Sequence, residues 1–128
     1  TGAEVKEEEF VCEMPGKKVK VAVISADVMG KGDDELGKVL IKGFLYALSQ
    51  METHVDTILF YNGGAKLTTE GSDSIEDLKK MEAEGTEILT CGTCLKHYGL
   101  MEKLLVGKVT DMYTITERMM GADKIIRP

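Results

Sequence analysis

Short apolar runs alternate along this chain with longer segments in which apolar residues recur at helical spacing. The first run, from Val19 to Ser25, is almost continuously apolar, which is typical of a strand buried on both faces of a parallel sheet. Two further strands are predicted from Val55 to Tyr61 and from Thr86 to Thr90. A short fourth strand is predicted from Val109 to Tyr113, and a fifth from Lys124 to Ile126.

Helices are predicted between these strands. The first follows a loop rich in Gly and Asp, begins after an N-cap at Asp33 or Asp34, and runs to about Gln50. Ser74 and Asp77 have the spacing of a capping box at the start of the second helix.

The last helix is predicted from Thr114 or Thr116 to Met120. Because strands alternate with helices, we predict an α/β protein, a three-layer α/β/α sandwich with a mostly parallel five-stranded sheet. In such sheets, ligands and reactive groups lie beyond the carboxyl ends of the strands. The loops after the first three strands should therefore meet at one edge.

Composition and charge narrow the range of partners. The chain has 128 residues, 43% of them hydrophobic, which is enough for one domain with its own core. A net charge of -6 and scattered basic residues argue against nucleic acid or an anionic membrane as a partner. No apolar run approaches the roughly 20 residues of a membrane span, and no signal segment opens the chain. We therefore expect a cytoplasmic protein.

The beginning of the chain differs from the rest. Residues 1–18 are acidic and contain a break at Pro15-Gly16, so we predict a linker or N-terminal tail followed by a single domain over residues 19–128. Cys12 lies in this tail. Three cysteines make an odd number in a chain that needs no disulfide framework, so reduced thiols are expected.

The candidate chemistry lies directly after the third predicted strand. The apolar run that ends at Thr90 leads into Cys91-Gly92-Thr93-Cys94, and a helix is expected to begin there. The first N–H groups of a helix favour negative charge, so a cysteine at that position should form a thiolate more readily. His97 follows Cys94 by three residues on the same helix face, where it could stabilise a thiolate or carry a proton.

Two other kinds of site fit the sequence poorly. The segment from Gly32 to Val39 has the spacing of a phosphate-binding loop, but Val39 stands where Ser or Thr should hold magnesium and three carboxylates precede it. Cys91, Cys94 and His97 are zinc-competent, yet a structural zinc site needs a fourth ligand. We therefore predict neither a metal nor a cofactor.

Three interpretations of the CxxC sequence remain. Its cysteines could cycle between dithiol and disulfide, or one sulfur could carry sulfane sulfur as a persulfide while the other releases it. Alternatively, both thiols could be structural in a non-catalytic oligomeric binding module. The spacing alone does not separate redox chemistry from sulfur transfer.

Two motifs identify a family. The sequences FYNGG at Phe60 to Gly64 and CGTCLKHYGL at Cys91 to Leu100 closely resemble the C-terminal domain of YedF-type proteins. Those are sulfurtransferase-like proteins linked to selenium metabolism, and this domain belongs to the DsrE/DsrF-like sulfur-relay superfamily. The resemblance extends from about Lys18 to Pro128. The family's N-terminal carrier domain has a Cys-Pro-x-Pro motif, which is absent from this sequence.

The resemblance implies a five-stranded α/β/α fold and homo-oligomers such as trimers or hexamers. It also implies that Cys91 carries sulfur, or selenium, as a persulfide between a donor and an acceptor protein, with Cys94 as the extra thiol of the CxxC subgroup. The glycines of the neighbouring loops would let backbone approach the site, and Asn62 could orient a polar group there. These glycines are Gly30, Gly32, Gly63 and Gly64.

Overall fold

The computed structural model describes residues 18–128, and it contains one five-stranded sheet. Its strands are β1 Lys20–Ile24, β2 Thr57–Phe60, β3 Glu87–Cys91, β4 Lys108–Thr110 and β5 Lys124–Ile126. They lie in the order β4-β3-β2-β1-β5, and every neighbouring pair is parallel. The predicted sheet is thus confirmed. The tail that contains Cys12 lies outside the described residues.

Four α-helices connect these strands. They are α1 Asp34–Gln50, α2 Ile75–Ala83, α3 Gly92–His97 and α4 Met112–Met120. Two 3-10 helices, Asn62–Thr68 and Met101–Lys103, complete the connections. The loop before α1 caps that helix, because the Asp33 carboxylate accepts the N–H of Leu36 at 2.9 Å.

Alternate side chains of the strands point to opposite faces of the sheet, and both faces are covered. On the first face, Ala22, Ile24 and Phe60 pack with apolar residues of α1 and α2. On the second face, Val23 and Leu59 belong to a smaller cluster that includes Ile115 of α4. Helices on both sides of the sheet confirm the three-layer sandwich.

The fourth strand and the last helix differ from the prediction. The predicted strand continued to Tyr113, whereas β4 ends at Thr110 and α4 begins at Met112. The reason is Asp111, whose side chain accepts the N–H of Thr114 at 2.9 Å and so caps a helix at that point. β-branched and aromatic residues had favoured a strand there, but the local cap determines the boundary.

The predicted capping box at Ser74 is also wrong. The Ser74 side chain makes no cap hydrogen bond, and its backbone N–H donates to the Ser72 hydroxyl at 3.1 Å. Ser74 is 1% exposed, so its hydroxyl lies in the packed entry to α2 rather than at a solvent-facing helix end.

Within residues 18–128, no helix combines the length and apolar character that a membrane crossing requires.

Candidate functional site

The loops after β1 and β2 are packed closely together beyond the ends of their strands. Tyr61 donates its N–H to the carbonyl of Ile24 at 3.2 Å. A Cβ at Gly64 would overlap the same carbonyl oxygen, so only glycine fits at this position. A Cβ at Gly63 would lie 3.5 Å from the Asp27 carboxylate, an ordinary contact. Gly64 therefore allows the segment after β2 to approach the end of β1 closely, and Gly63 lies beside Asp27.

The two thiols of the CxxC sequence lie at the junction of β3 and α3. Cys91 is the last residue of β3, is 2% exposed, and packs in the apolar cluster of the second face. Cys94 is half-buried at the margin of that cluster. Both are free thiols. A strand that ends in a thiol pair at a helix start agrees with the sequence prediction, and of the two thiols Cys94 is the more accessible.

Asn62 brings a polar backbone group to Cys94. Its backbone N–H donates to Cys94 Sγ at 3.0 Å, across 32 residues of chain. Its φ of 50° is in the left-handed region, where asparagine is one of the few tolerated side chains. The Tyr98 hydroxyl donates to Asn62 Oδ1 at 2.9 Å. Tyr98 and Asn62 therefore hold the turn that presents this N–H to the sulfur.

The acidity of Cys94 departs from the sequence-based expectation. Burial raises the pKa of the Cys94 thiol above its ordinary value, and the Asn62 N–H opposes this only in part. The neighbouring Cys91 thiol raises the pKa further. The helix start was expected to favour the thiolate, whereas burial opposes the thiolate of Cys94.

Three of the predicted site residues are exposed at the surface. His97 is exposed and packs edge-to-face on the Tyr98 ring at a centroid distance of 5.2 Å. Among the described residues, no hydrogen bond joins it to either sulfur. Gly30 and Gly32 are exposed, with φ of 83° and 141°, and a Cβ at either would meet nothing within 4 Å. Their conformations allow the turn before α1.

Tyr98 is the site residue that the sequence analysis missed. It follows Cys94 by four residues, a spacing that places both on one helix face and could have identified it. The ammonium of Lys66 lies 4.7 Å from the centroid of its ring, in a cation–π contact. Lys66 has no such sequence signal, because its contact with Tyr98 depends on how the 3-10 helix Asn62–Thr68 packs against the end of α3.

Tyr98 also lines a cavity of about 630 Å³. The floor of this cavity is apolar and includes Ile41, Leu67 and Leu100.

Within residues 18–128, no three side chains of His, Cys, Asp or Glu converge as metal ligands.

Comparison with known proteins identifies a family and supports the fold. Residues 40–128 match the DsrE/DsrF-like family. The ychN protein from E. coli has a similar structure, with a TM-score of 0.65 at 16% sequence identity over 88% of this chain and all of that one. The protein of unknown function MTH1491 from Methanobacterium thermoautotrophicum gives 0.64 at 20% identity, with the same coverage. At these identities the likeness establishes the fold. No curated protein sequence matches the chain.

Proposed function

The chain belongs to the DsrE/DsrF-like family, which is associated with sulfur relay, and from this premise we propose that its CxxC site carries sulfane sulfur as a persulfide. The sulfur passes from a donor protein to an acceptor protein. The observation that carries the proposal is the unequal exposure of two adjacent thiols, with a backbone N–H at the sulfur of the more accessible one.

Cys94 is the receiving thiol, because it is the one that a donor can reach. Its deprotonated sulfur attacks the outer sulfur of a donor persulfide, R–S–SH. The donor S–S bond breaks, the electron pair leaves on R–S⁻, and Cys94 becomes Cys94–S–SH. The proton that Cys94 lost is returned to the R–S⁻ group. No oxidant is consumed, since sulfane sulfur is exchanged between thiols.

Cys91 then takes the outer sulfur from Cys94 in the same kind of exchange. The products are Cys91–S–SH and the Cys94 thiol, so the numbers of atoms, protons and electrons are unchanged. The leaving Cys94 thiolate accepts a hydrogen bond from the backbone N–H of Asn62, whose nitrogen lies 3.0 Å from Cys94 Sγ in the structure. This hydrogen bond stabilises the developing negative charge. At 2% exposure, Cys91 would hold the persulfide away from reductants in solution.

The finer parts of the proposal rest on the resemblance to YedF-type proteins. Selenium can replace sulfur in the same bonding pattern, so the site could carry either element to its acceptor. A cytoplasmic location would keep both thiols reduced between cycles. We further propose that the domain assembles into homo-oligomers, trimers or hexamers. His97 remains a candidate proton carrier, although its ring contacts Tyr98 rather than a sulfur.

Thiol–disulfide oxidoreduction is the second candidate function. It is favoured by the CxxC spacing at the junction of β3 and α3, where both thiols are free. The two functions leave different masses on the protein. Persulfide transfer adds one sulfur atom, whereas oxidation of the pair removes two hydrogen atoms.

The test is mass spectrometry of the native protein after incubation with a cysteine desulfurase and cysteine. Every variant carries Cys12→Ser, so that only the two site thiols respond. We expect Cys94→Ser to slow sulfur uptake at least about tenfold, because the remaining thiol is shielded. We expect Cys91→Ser to gain sulfur but lose it rapidly to cyanide or dithiothreitol.

Other outcomes would change the assignment. Uptake in Cys94→Ser at the rate of the protein that carries Cys12→Ser alone would remove Cys94 as the receiving thiol. Sulfur retained equally well in Cys91→Ser would make Cys94 the carrier. Loss of two hydrogen atoms without added sulfur would favour the oxidoreductase, and absence of any mass change with thiols resistant to alkylation would favour a non-catalytic binding module.

A further inference from the structure

The cavity behind Tyr98 has the size and lining of a small-molecule site. Its volume of about 630 Å³ lies within the range of about 300–1,000 Å³ common for ligand pockets. It combines an apolar floor with a charged rim, as such sites generally do. Nothing in the proposed relay between proteins uses this space.

The charges of the rim are balanced. Lys42 is neutralised by Asp77 at 3.0 Å, and Glu70 lies 3.9 Å from Lys103. The remaining charged residues of the rim have no ion-pair partner among the described residues. They are two lysines, Lys38 and Lys66, and two aspartates, Asp27 and Asp73.

Three carboxylates on the rim argue against a polyanion as the ligand. A nucleotide or polyphosphate would gain from the lysines but would also face Asp27, Glu70 and Asp73. A zwitterion can satisfy both signs at once. The rim therefore favours a ligand that carries free ammonium and carboxylate groups.

One pair of opposite charges lies beside the thiol site. The Lys66 ammonium rests on the ring of Tyr98, whose hydroxyl bonds to Asn62. The Asp27 carboxylate lies against Gly63, which follows Asn62 in the chain. In cysteine, the ammonium and carboxylate groups share one carbon atom, and the sulfur is one further carbon away. A cysteine headgroup bound between Lys66 and Asp27 would thus place its sulfur near the turn whose N–H contacts Cys94.

From this geometry we infer that the cavity binds cysteine, or a short cysteine-containing peptide with free amino and carboxylate groups, together with their persulfides. Such a molecule supplies sulfane sulfur to Cys94, or receives it, by the exchange described above. The role in sulfur exchange rests on the proposed function, whereas binding of the ligand in the cavity does not. Lys38 and Asp73 would hold the second set of charged groups of a peptide ligand.

Binding is tested separately from sulfur chemistry in the protein with all three cysteines replaced by serine. Backbone amide NMR signals are followed during titration with L-cysteine, with reduced glutathione, and with N-acetyl-L-cysteine, which lacks the free ammonium. We expect saturable shifts at Asn62, Gly63 and Tyr98 with the first two probes. We expect weaker binding of the acetylated probe.

Charge variants supply the matched controls. Lys66→Gln and Asp27→Asn should each weaken binding about three- to fivefold, as expected for loss of one partly exposed ion pair. Lys79→Gln removes the same charge from the exposed surface of α2 and should bind like the parent. Equal weakening by Lys79→Gln, or no saturable shift at millimolar probe, would overturn the inference.

The two proposals fail separately. If the serine variant binds glutathione as expected but the wild type accepts no sulfur from the desulfurase, the cavity site stands and the persulfide function falls. If the wild type accepts sulfur while the serine variant binds none of the three probes, the cavity inference falls and the relay between proteins stands.

Discussion

The contact between Asn62 and Cys94 is the residue-scale feature on which sulfur exchange depends. A hydrogen bond to a charged group contributes about 1.5–3 kcal/mol, more than one between neutral groups. The Asn62 N–H therefore favours the thiolate form of Cys94, against the burial that disfavours it. Tyr98 does not touch the sulfur, and it acts by positioning Asn62.

Replacing Tyr98 by phenylalanine should test this positioning role. Without the hydroxyl, the Asn62 turn is held less firmly, and the pKa of Cys94 should rise further. We expect alkylation of Cys94 by iodoacetamide at neutral pH to slow about two- to fivefold, corresponding to about 0.5–1 kcal/mol lost from one hydrogen bond. Tyr46→Phe, on the exposed surface of α1, is the control. Superimposable rate–pH profiles for Tyr98→Phe and the wild type would contradict this prediction.

The adjacent glycines of the same turn provide a second test. Gly64→Ala should lower the free energy of unfolding by about 2–3 kcal/mol, because its Cβ would overlap the Ile24 carbonyl oxygen at the end of a buried strand. Gly63→Ala is the matched control, since its Cβ makes only 3.5 Å contacts. Urea unfolding followed by circular dichroism measures both. Equal stability of the two variants would show that the loops separate readily.

At the scale of the elements, Glu87 and Arg118 join β3 to α4. Arg118 donates to both carboxylate oxygens of Glu87, at 2.8 and 2.9 Å, and the Thr57 hydroxyl donates to one of them at 3.0 Å. The hydrogen bond from Arg118 lowers the pKa of Glu87, and burial opposes it. This pair holds α4 on the face of the sheet that contains Cys91.

The pair makes stability depend on pH in a definite direction. Because the native pKa of Glu87 lies below its ordinary value of 4.5, its contribution is present above that value and is lost as pH falls through the native pKa. We expect Glu87→Gln to lower the free energy of unfolding by about 0.5–1 kcal/mol at pH 7, since both partners are more than a third exposed. The difference from wild type should shrink below pH 4.5.

Glu52→Gln, at an exposed position after α1, is the control for this measurement and should change little. Urea unfolding of the three proteins from neutral to acid pH provides the comparison. A wild-type advantage that stays constant across this range would mean that the carboxylate of Glu87 is not the source of the stabilisation.

At the scale of the whole molecule, apolar side chains remain uncovered on α4. Met112, Tyr113 and Met120 are 55%, 75% and 82% exposed. Such a surface is typical of contact with another protein. It is consistent with the proposed homo-oligomer, for which the resemblance to YedF-type proteins is the starting point.

Sedimentation equilibrium tests that assembly. We expect a mass three or six times that of the 14.0 kDa chain. Tyr113→Glu should shift the protein toward monomer, because it places a charge within the apolar surface of α4. Tyr46→Glu introduces the same charge on α1 and should leave the assembly intact. A wild-type monomer at micromolar concentration would contradict the proposal.

Most of the fold followed from the sequence because its signals are local. Burial of both faces of β1 and β2 appears in the sequence as continuous apolar runs, and the spacing of apolar residues identified α1 and α2. The misplaced boundary between β4 and α4 has a local cause as well. Asp111 is a residue type that favours helix N-caps, so the sequence does carry a signal for this boundary.

The sequence by itself determined the layered α/β architecture and the position of two thiols between a strand and a helix, because periodicity and motif spacing act over a few residues. Only the tertiary structure decided which thiol is accessible and in which direction the pKa of Cys94 shifts. It also joined Asn62 to Cys94 and closed the cavity beside Tyr98. These properties depend on burial and on contacts between distant segments, for which the local pattern carries no signal.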